Sequence, residues 1–178
     1  MSSCGALYNA ILDVKFDETG ATEPVTVEEL KAFARIDGDT EDDLIEELGI
    51  TARQACEAYT NISFVRKEVT AIINNSLGSC YLPYGPVIGD VTSVKDDNGK
   101  DFSDPVIKGN KFKYLKSPDE DYVEVVYTAG YAAGELPKNL KTSVLNWFAY
   151  LYENRGDEKT NDNLIEAKRL LKPYSRVS

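Results

Sequence analysis

The sequence predicts an α+β fold, a mainly α-helical core carrying an inserted antiparallel β-sheet lobe. Three observations predict it. Apolar residues recur at helical spacing on both sides of the middle third, the middle third itself alternates with period two and is rich in β-branched residues, and capping and turn signals mark the boundaries. The 178 residues suffice for a single domain with a real core. Its expected parts are an N-terminal arm (1–24), a helical pair (25–61), a β-rich lobe (62–130), a core helix (136–156), and a C-terminal helix with a basic tail (161–178).

In the arm, GALYNAIL is apolar but too short to span a bilayer, and no basic residues precede it as a secretory signal requires. It reads as a docking arm or an extra piece of core. Val14 to Phe16 can form a short extended piece. Thr26 and Glu29 then make a capping box, so a helix is expected from Val27, with Leu30, Phe33 and Ala34 on one face and Gly38 as its stop. Asp39 or Thr40 can cap the second helix, whose stripe is Leu44, Ile45, Leu48, Ala52, Ala55, Cys56 and Tyr59.

Phe64 to Ile73 alternates as a strand, and Tyr81 to Pro86 breaks regular structure with two prolines and a glycine. Val87 to Lys95 extends again, and Asp97-Asn98-Gly99 supplies the positive φ angles of a hairpin turn. Short strands are expected near Val106-Ile107 and Phe112 to Leu115, and a long one at Tyr122 to Thr128. Pro137 suits the first turn of a helix carrying Leu140, Val144, Leu145, Phe148 and Leu151 and stopping near Gly156. A polar loop leads to a last helix with Leu164, Ile165, Leu170 and Leu171, ended by Pro173.

The chemistry of the chain points away from catalysis. Histidine is absent, which removes the commonest general base and a favoured metal ligand, and no nucleophile elbow, phosphate loop or dinucleotide fingerprint is present. Cys4, Cys56 and Cys80 form no CxxC pair, so neither a disulfide framework nor a zinc site is expected. Asp37, Asp39, Glu41 and Asp43 alternate like the oxygens of a calcium loop, but Asp42 stands where that loop needs glycine and Leu48 where it needs glutamate. Acids in a first helical turn offset the helix dipole instead. No cofactor, metal or membrane contact is expected. A formal charge of -10 also opposes undirected binding to nucleic acid.

What remains is surface. Trp147, Tyr150 and Tyr152 share a helix with Phe148 and cannot all face the core with it, so part of this aromatic set is a candidate interface. Asp37, Asp39, Asp42 and Asp43 form an acidic corner. Lys168, Arg169, Lys172 and Arg176 make the end of the chain basic, with no acid after Ala167.

Three segments in order carry a family resemblance. VTVEELKAFARIDGDTEDDLIEEL with the following ACEAYTN resembles the opening helical pair of the head-tail connector, or adaptor, proteins of tailed double-stranded DNA phages and gene transfer agents. YTAGY is similar to the motif closing their sheet, and LPKNLKTSVLNWFAYLYENRG to the helix after it. The resemblance implies a non-enzymatic virion component at the neck, made in the host cytoplasm. It implies a ring, usually of twelve subunits and monomeric when isolated, bound beneath the portal protein, through which genomic DNA passes without specific binding. It implies a surface for a neck or tail-completion protein. The basic tail is then expected to meet either the acidic corner of an adjacent subunit or the portal. A rival reading is an acidic inhibitor or DNA mimic, which would spread carboxylates over one face rather than concentrate them at a helix start.

Overall fold

The computed structural model describes residues 11–74, 79–102, 105–116, 122–154 and 161–175. The fold is α+β, as the periodicities predict, and it divides into two compact units. One takes Met1–Gly20 and Arg66–Gly130, the other Ala21–Val65 and Tyr131–Ser178.

The first unit is built from β1 (Ile11–Asp17), β2 (Lys67–Asn74), β3 (Ser79–Tyr81), β4 (Val87–Lys95), β5 (Val106–Lys108), β6 (Tyr114–Lys116) and β7 (Tyr122–Ala129). They form two antiparallel sheets, β1-β2-β7-β4 and β3-β6-β5. β2 and β7 pair without a break from Lys67↔Ala129 to Asn74↔Tyr122, which sets Val69 opposite Tyr127, Ala71 opposite Val125 and Ile73 opposite Val123. All six are fully buried, and cross-strand apolar pairs of this kind are the stabilising unit of a sheet. The small sheet adds Cys80 and Leu115, themselves a cross-strand pair, to the same apolar cluster. Tyr127 donates its buried hydroxyl to the Pro83 carbonyl.

The edges of the large sheet differ. β4 is irregular between Ile88 and Val91 and again between Val91 and Ser93, with Gly89 at φ 67°, whereas β1 is exposed along most of its length. The chain turns at Asn98-Gly99, with the positive φ at Gly99 (77°) and not at Asn98: Asp96 accepts from the Asn98 and Lys100 N–H groups, and a bridge, Lys95↔Asp101, follows. Gly109, at φ 99°, lies where an added Cβ would stand 2.4 Å from the Phe112 carbonyl oxygen, so no other residue fits that turn unchanged.

The second unit comprises α1 (Val27–Ala34), α2 (Asp42–Thr60), α3 (Lys138–Glu153) and α4 (Asp162–Leu171), with a short 3-10 turn at Lys172–Tyr174. α3 is central, packing on α1, α2 and α4. Both halves of the Thr26–Glu29 capping box are formed, and Lys141 of α3 reaches the same Glu29 carboxylate at 2.6 Å. α1 and α2 approach so closely that a Cβ at Gly49 would stand 2.6 Å from Leu30 Cδ1. The buried residues of these helices include Leu30, Ile45, Ala52, Cys56, Leu140, Val144, Phe148, Leu164, Ala167 and Leu171.

Several boundaries move from their predicted places, for local reasons. α1 ends at Ala34 rather than near Gly38, because Arg35 takes the left-handed conformation and the Ile36 N–H closes back on the Lys31 carbonyl. α2 starts at Asp42 with Glu41, rather than Asp39 or Thr40, as an N-cap that makes no side-chain cap bond; Asp39 is drawn to Lys31 instead. The buried face of α2 runs Ile45, Gly49, Ala52, Arg53, Cys56, Glu57 and Thr60, leaving Leu48 half-buried and Leu44 exposed. β2 starts at Lys67, not Phe64, because the N–H groups of Phe64 and Val65 donate to the Glu57 carboxylate. Tyr81 closes strand β3 rather than a break, and Pro137 stands just before α3 instead of inside it. Asn161 caps α4 by accepting from the Leu164 N–H.

Candidate assembly surface

The acidic corner between α1 and α2 is two populations of carboxylate. Lys31, on the last turn of α1, reaches Asp39 at 2.7 Å and Asp42 at 2.8 Å. Its ammonium holds the Asp39 carboxyl below the ordinary value, and the two acids in turn raise the lysine. The corner's acids are thus folded around an internal cation. Among the described residues no group of three or more Cys, Asp and Glu side chains converges to hold a metal ion. Asp37 and Asp43 stand outside this cluster, exposed, and Glu46 and Glu47 continue the exposed acidic run along the first turns of α2.

Trp147, Tyr150 and Tyr152 of α3 are each half-buried beside the fully buried Phe148, and two of the three are engaged within the helical unit. Trp147 meets Tyr59 of α2 edge-on, with ring centroids 6.3 Å apart, and Lys168 Nζ of α4 lies 5.9 Å from the centre of its ring. Tyr152 stacks at a tilt on Phe148 and donates its hydroxyl to Glu41 at 2.7 Å. The structure thereby joins Tyr152 to the start of α2, a link that sequence spacing does not reveal. The Tyr150 carbonyl accepts from Asn154 at the end of α3.

Lys168 and Arg169 on α4 and Lys172 at the start of the 3-10 turn are exposed. Arg169 makes a bidentate pair with Glu166, one turn back, at 2.6 and 2.7 Å, which holds the Glu166 carboxyl below its ordinary value. Arg176 lies outside the described residues.

The polar network that sequence reasoning missed is buried. Arg53, with only 1 % of its side chain exposed, spans Glu23 at 3.0 Å and Glu57 at 2.9 Å, and the second oxygen of Glu57 accepts from Phe64 N–H at 2.5 Å. The i,i+4 spacing of Arg53 and Glu57 within the run Gly49-Ala52-Cys56-Thr60 is the signal that could have found it. In the β unit, Lys67 is buried likewise, between Glu18 at 2.9 Å and the Phe16 ring at 4.5 Å. Buried charges persist only when paired and hydrogen-bonded, so both clusters are pieces of the fold.

Burial and the adjacent Glu57 carboxylate push the Cys56 thiol far up, and burial pushes Cys80 up to about 12, so neither supplies a thiolate at neutral pH. Among the described residues no helix is long and apolar enough to cross a membrane.

A family model described as "Head completion protein" matches residues 23–162. No curated protein matches the chain. Among solved structures, the fold is similar to a chain in the neck of an empty gene transfer agent particle computed with C6 symmetry. The TM-score is 0.71 at 18% identity, over 89% of this chain and 96% of that one. It is also similar to a chain in the virion of a native gene transfer agent particle, with a TM-score of 0.69, 19% identity and the same coverage. A third, in the neck of a native particle computed with C12 symmetry, gives a TM-score of 0.64 at 17% identity over 92% of this chain and 96% of that one. At such identities these likenesses establish a shared fold. The match from residue 23 to residue 162 takes in both members of the helical pair, β2 to β7 and the whole of α3, and on that basis the chain belongs to the head completion protein family.

Proposed function

We propose that this protein is a structural, non-catalytic component of the virion neck of a tailed phage or gene transfer agent, a head-tail connector that forms a ring under the portal. The observation that carries this reading is the family match over residues 23–162, supported by the same fold in chains of gene transfer agent necks. The C6 and C12 symmetries of those necks support a ring of repeated subunits. The ring extends the DNA channel from the portal and offers its far side to a neck or tail-completion protein. A formal charge of -10 suits a channel wall, because phosphates released from a surface poor in clustered cations slide past it.

The inhibitor or DNA-mimic reading loses ground at the acidic corner, where Lys31 neutralises part of the carboxylate array a mimic would display. Deleting the coding sequence from a producing host and imaging the particles tests the proposal. DNA-containing heads without attached tails are expected, restored by supplying the protein in trans. Complete, tailed particles in its absence would overturn it.

A further inference from the structure

Two surfaces of the helical unit are opposite in charge and alike in design. On α4, Leu164, Ala167 and Leu171 are buried, while Ile165, Lys168 and Arg169, continued by the C-cap residue Lys172, occupy the opposite face at i, i+3, i+4 and i+7 spacing. All four are exposed, and Ile165, at 57 %, places a large apolar side chain at the N-terminal end of this stripe, between the cations and the exposed Asp162. At the start of α2 the pattern recurs with the sign reversed. Leu44 is 36 % exposed, with Asp43 beside it and Glu47 one turn on, while Glu46 lies around the helix from it; all three acids are exposed. Among the described residues none of these three acids, nor Lys172, is engaged in an ion pair.

An exposed apolar side chain beside charge suits a protein interface; within the described chain Lys168 already contacts Trp147 and Arg169 pairs with Glu166, so Lys172 and the acids of α2 are the charges left open to a partner. Both faces sit at helix ends whose dipoles stabilise their charges, anions at the start of α2 and cations at the end of α4.

We propose that the outer face of α4 docks on the start of α2 of a second copy of this chain, Ile165 against Leu44, with Lys168, Arg169 and Lys172 facing Asp43 and Glu47. Every copy carries both halves, so the contact is head-to-tail and propagates, closing into a ring when the rotation per subunit permits. Complementary charge around a small apolar centre fixes orientation more than it adds affinity, which suits subunits that gather on a template. The proposal rests on the neck-ring reading and names the subunit contact within it.

The test uses two variants of the full chain, Asp43→Lys/Glu47→Lys and Lys168→Glu/Lys172→Glu, with retained folding checked by thermal unfolding. Each alone should reduce incorporation into portal-containing heads at least tenfold. Mixed in equal amounts they should restore it, because an alternating ring then meets opposite charges at every contact. Loss with the α4 variant and no rescue by the mixture would assign that face to the portal and overturn the proposal, as would unchanged incorporation of both variants. A second readout is independent of the portal. In a Cys4→Ser background, chains carrying both Leu44→Cys and Ile165→Cys, oxidised mildly at high concentration, should form a ladder of disulfide-linked oligomers that neither single cysteine gives. A ladder from a chain that fails to join portal-containing heads would retain this contact and remove the neck reading; absence of the ladder would overturn the contact itself.

Discussion

The two ends of α2 use charge in opposite ways. At its C-terminal end Arg53 and Glu57 are buried, paired with each other and with Glu23, and bonded to the backbone of the following segment. At its N-terminal end Asp43, Glu46 and Glu47 lie in solvent on the same helix. A buried charge that loses its partner is stranded in a medium that cannot solvate it, whereas an exposed one returns to water at little cost. The first end therefore carries the fold, and the second is available to partners.

Removing Glu57 is the sharpest way to break this contrast. Glu57→Ala leaves Arg53 half-paired and the Phe64 N–H unsatisfied, and should cost about 3–5 kcal/mol of unfolding free energy in denaturant titration. Glu57→Gln, which keeps an acceptor for Phe64, should cost clearly less. The apolar face comes next: Ile45→Ala, at a fully buried site, should cost about 2–5 kcal/mol, and Leu48→Ala, at a half-buried one, distinctly less. Equal losses would show that the buried stripe has been placed one position wrong.

The cap of α1 is a smaller effect with a pH signature. Thr26→Ala should cost about 0.5–2 kcal/mol. Glu29 is held below its ordinary value of 4.5, chiefly by the Lys141 ammonium and then by the Thr26 N–H. A depressed folded-state pKa means its contribution is fully present above the unfolded value and fades as pH falls through the folded one. Urea midpoints measured from pH 6 down to pH 3 should thus fall more steeply for the parent than for Glu29→Gln. The smallest expected effect is at the exposed end: Asp43→Asn and Glu47→Gln should each change stability by no more than about 0.5 kcal/mol, while weakening incorporation into heads. A large stability loss there would erase the distinction between the two ends.

What was legible in the sequence was what local rules decide. The capping box at Thr26 and Glu29, the turn at Asn98-Gly99 and the alternation of β7 depend on residues a few positions apart, and each stands where it was read. The failures came from contacts distant in sequence. Asp39 is a good cap by type, but Lys31 competes for it; Phe64 has strand propensity, but Glu57 takes its N–H. β3 is three residues long and gains its order from pairing with β6, so no periodicity announces it. Arg53 and Glu57 have no place in an apolar stripe, because charged residues are seldom fully buried.

The surface residues divided similarly. The basic residues of α4 do share one exposed face, as helical spacing requires, while Trp147 and Tyr152 have partners on other helices that spacing alone does not supply. The charge pattern was readable; the ion pairs that remove Asp39 and Asp42 from it were not.

The most direct test of the account is electron microscopy of the purified protein mixed with its portal complex. The account predicts a second ring stacked coaxially on the portal, with one copy of this chain per repeating position. Portal rings that remain bare at saturating protein, with the chain free in the background, would contradict it.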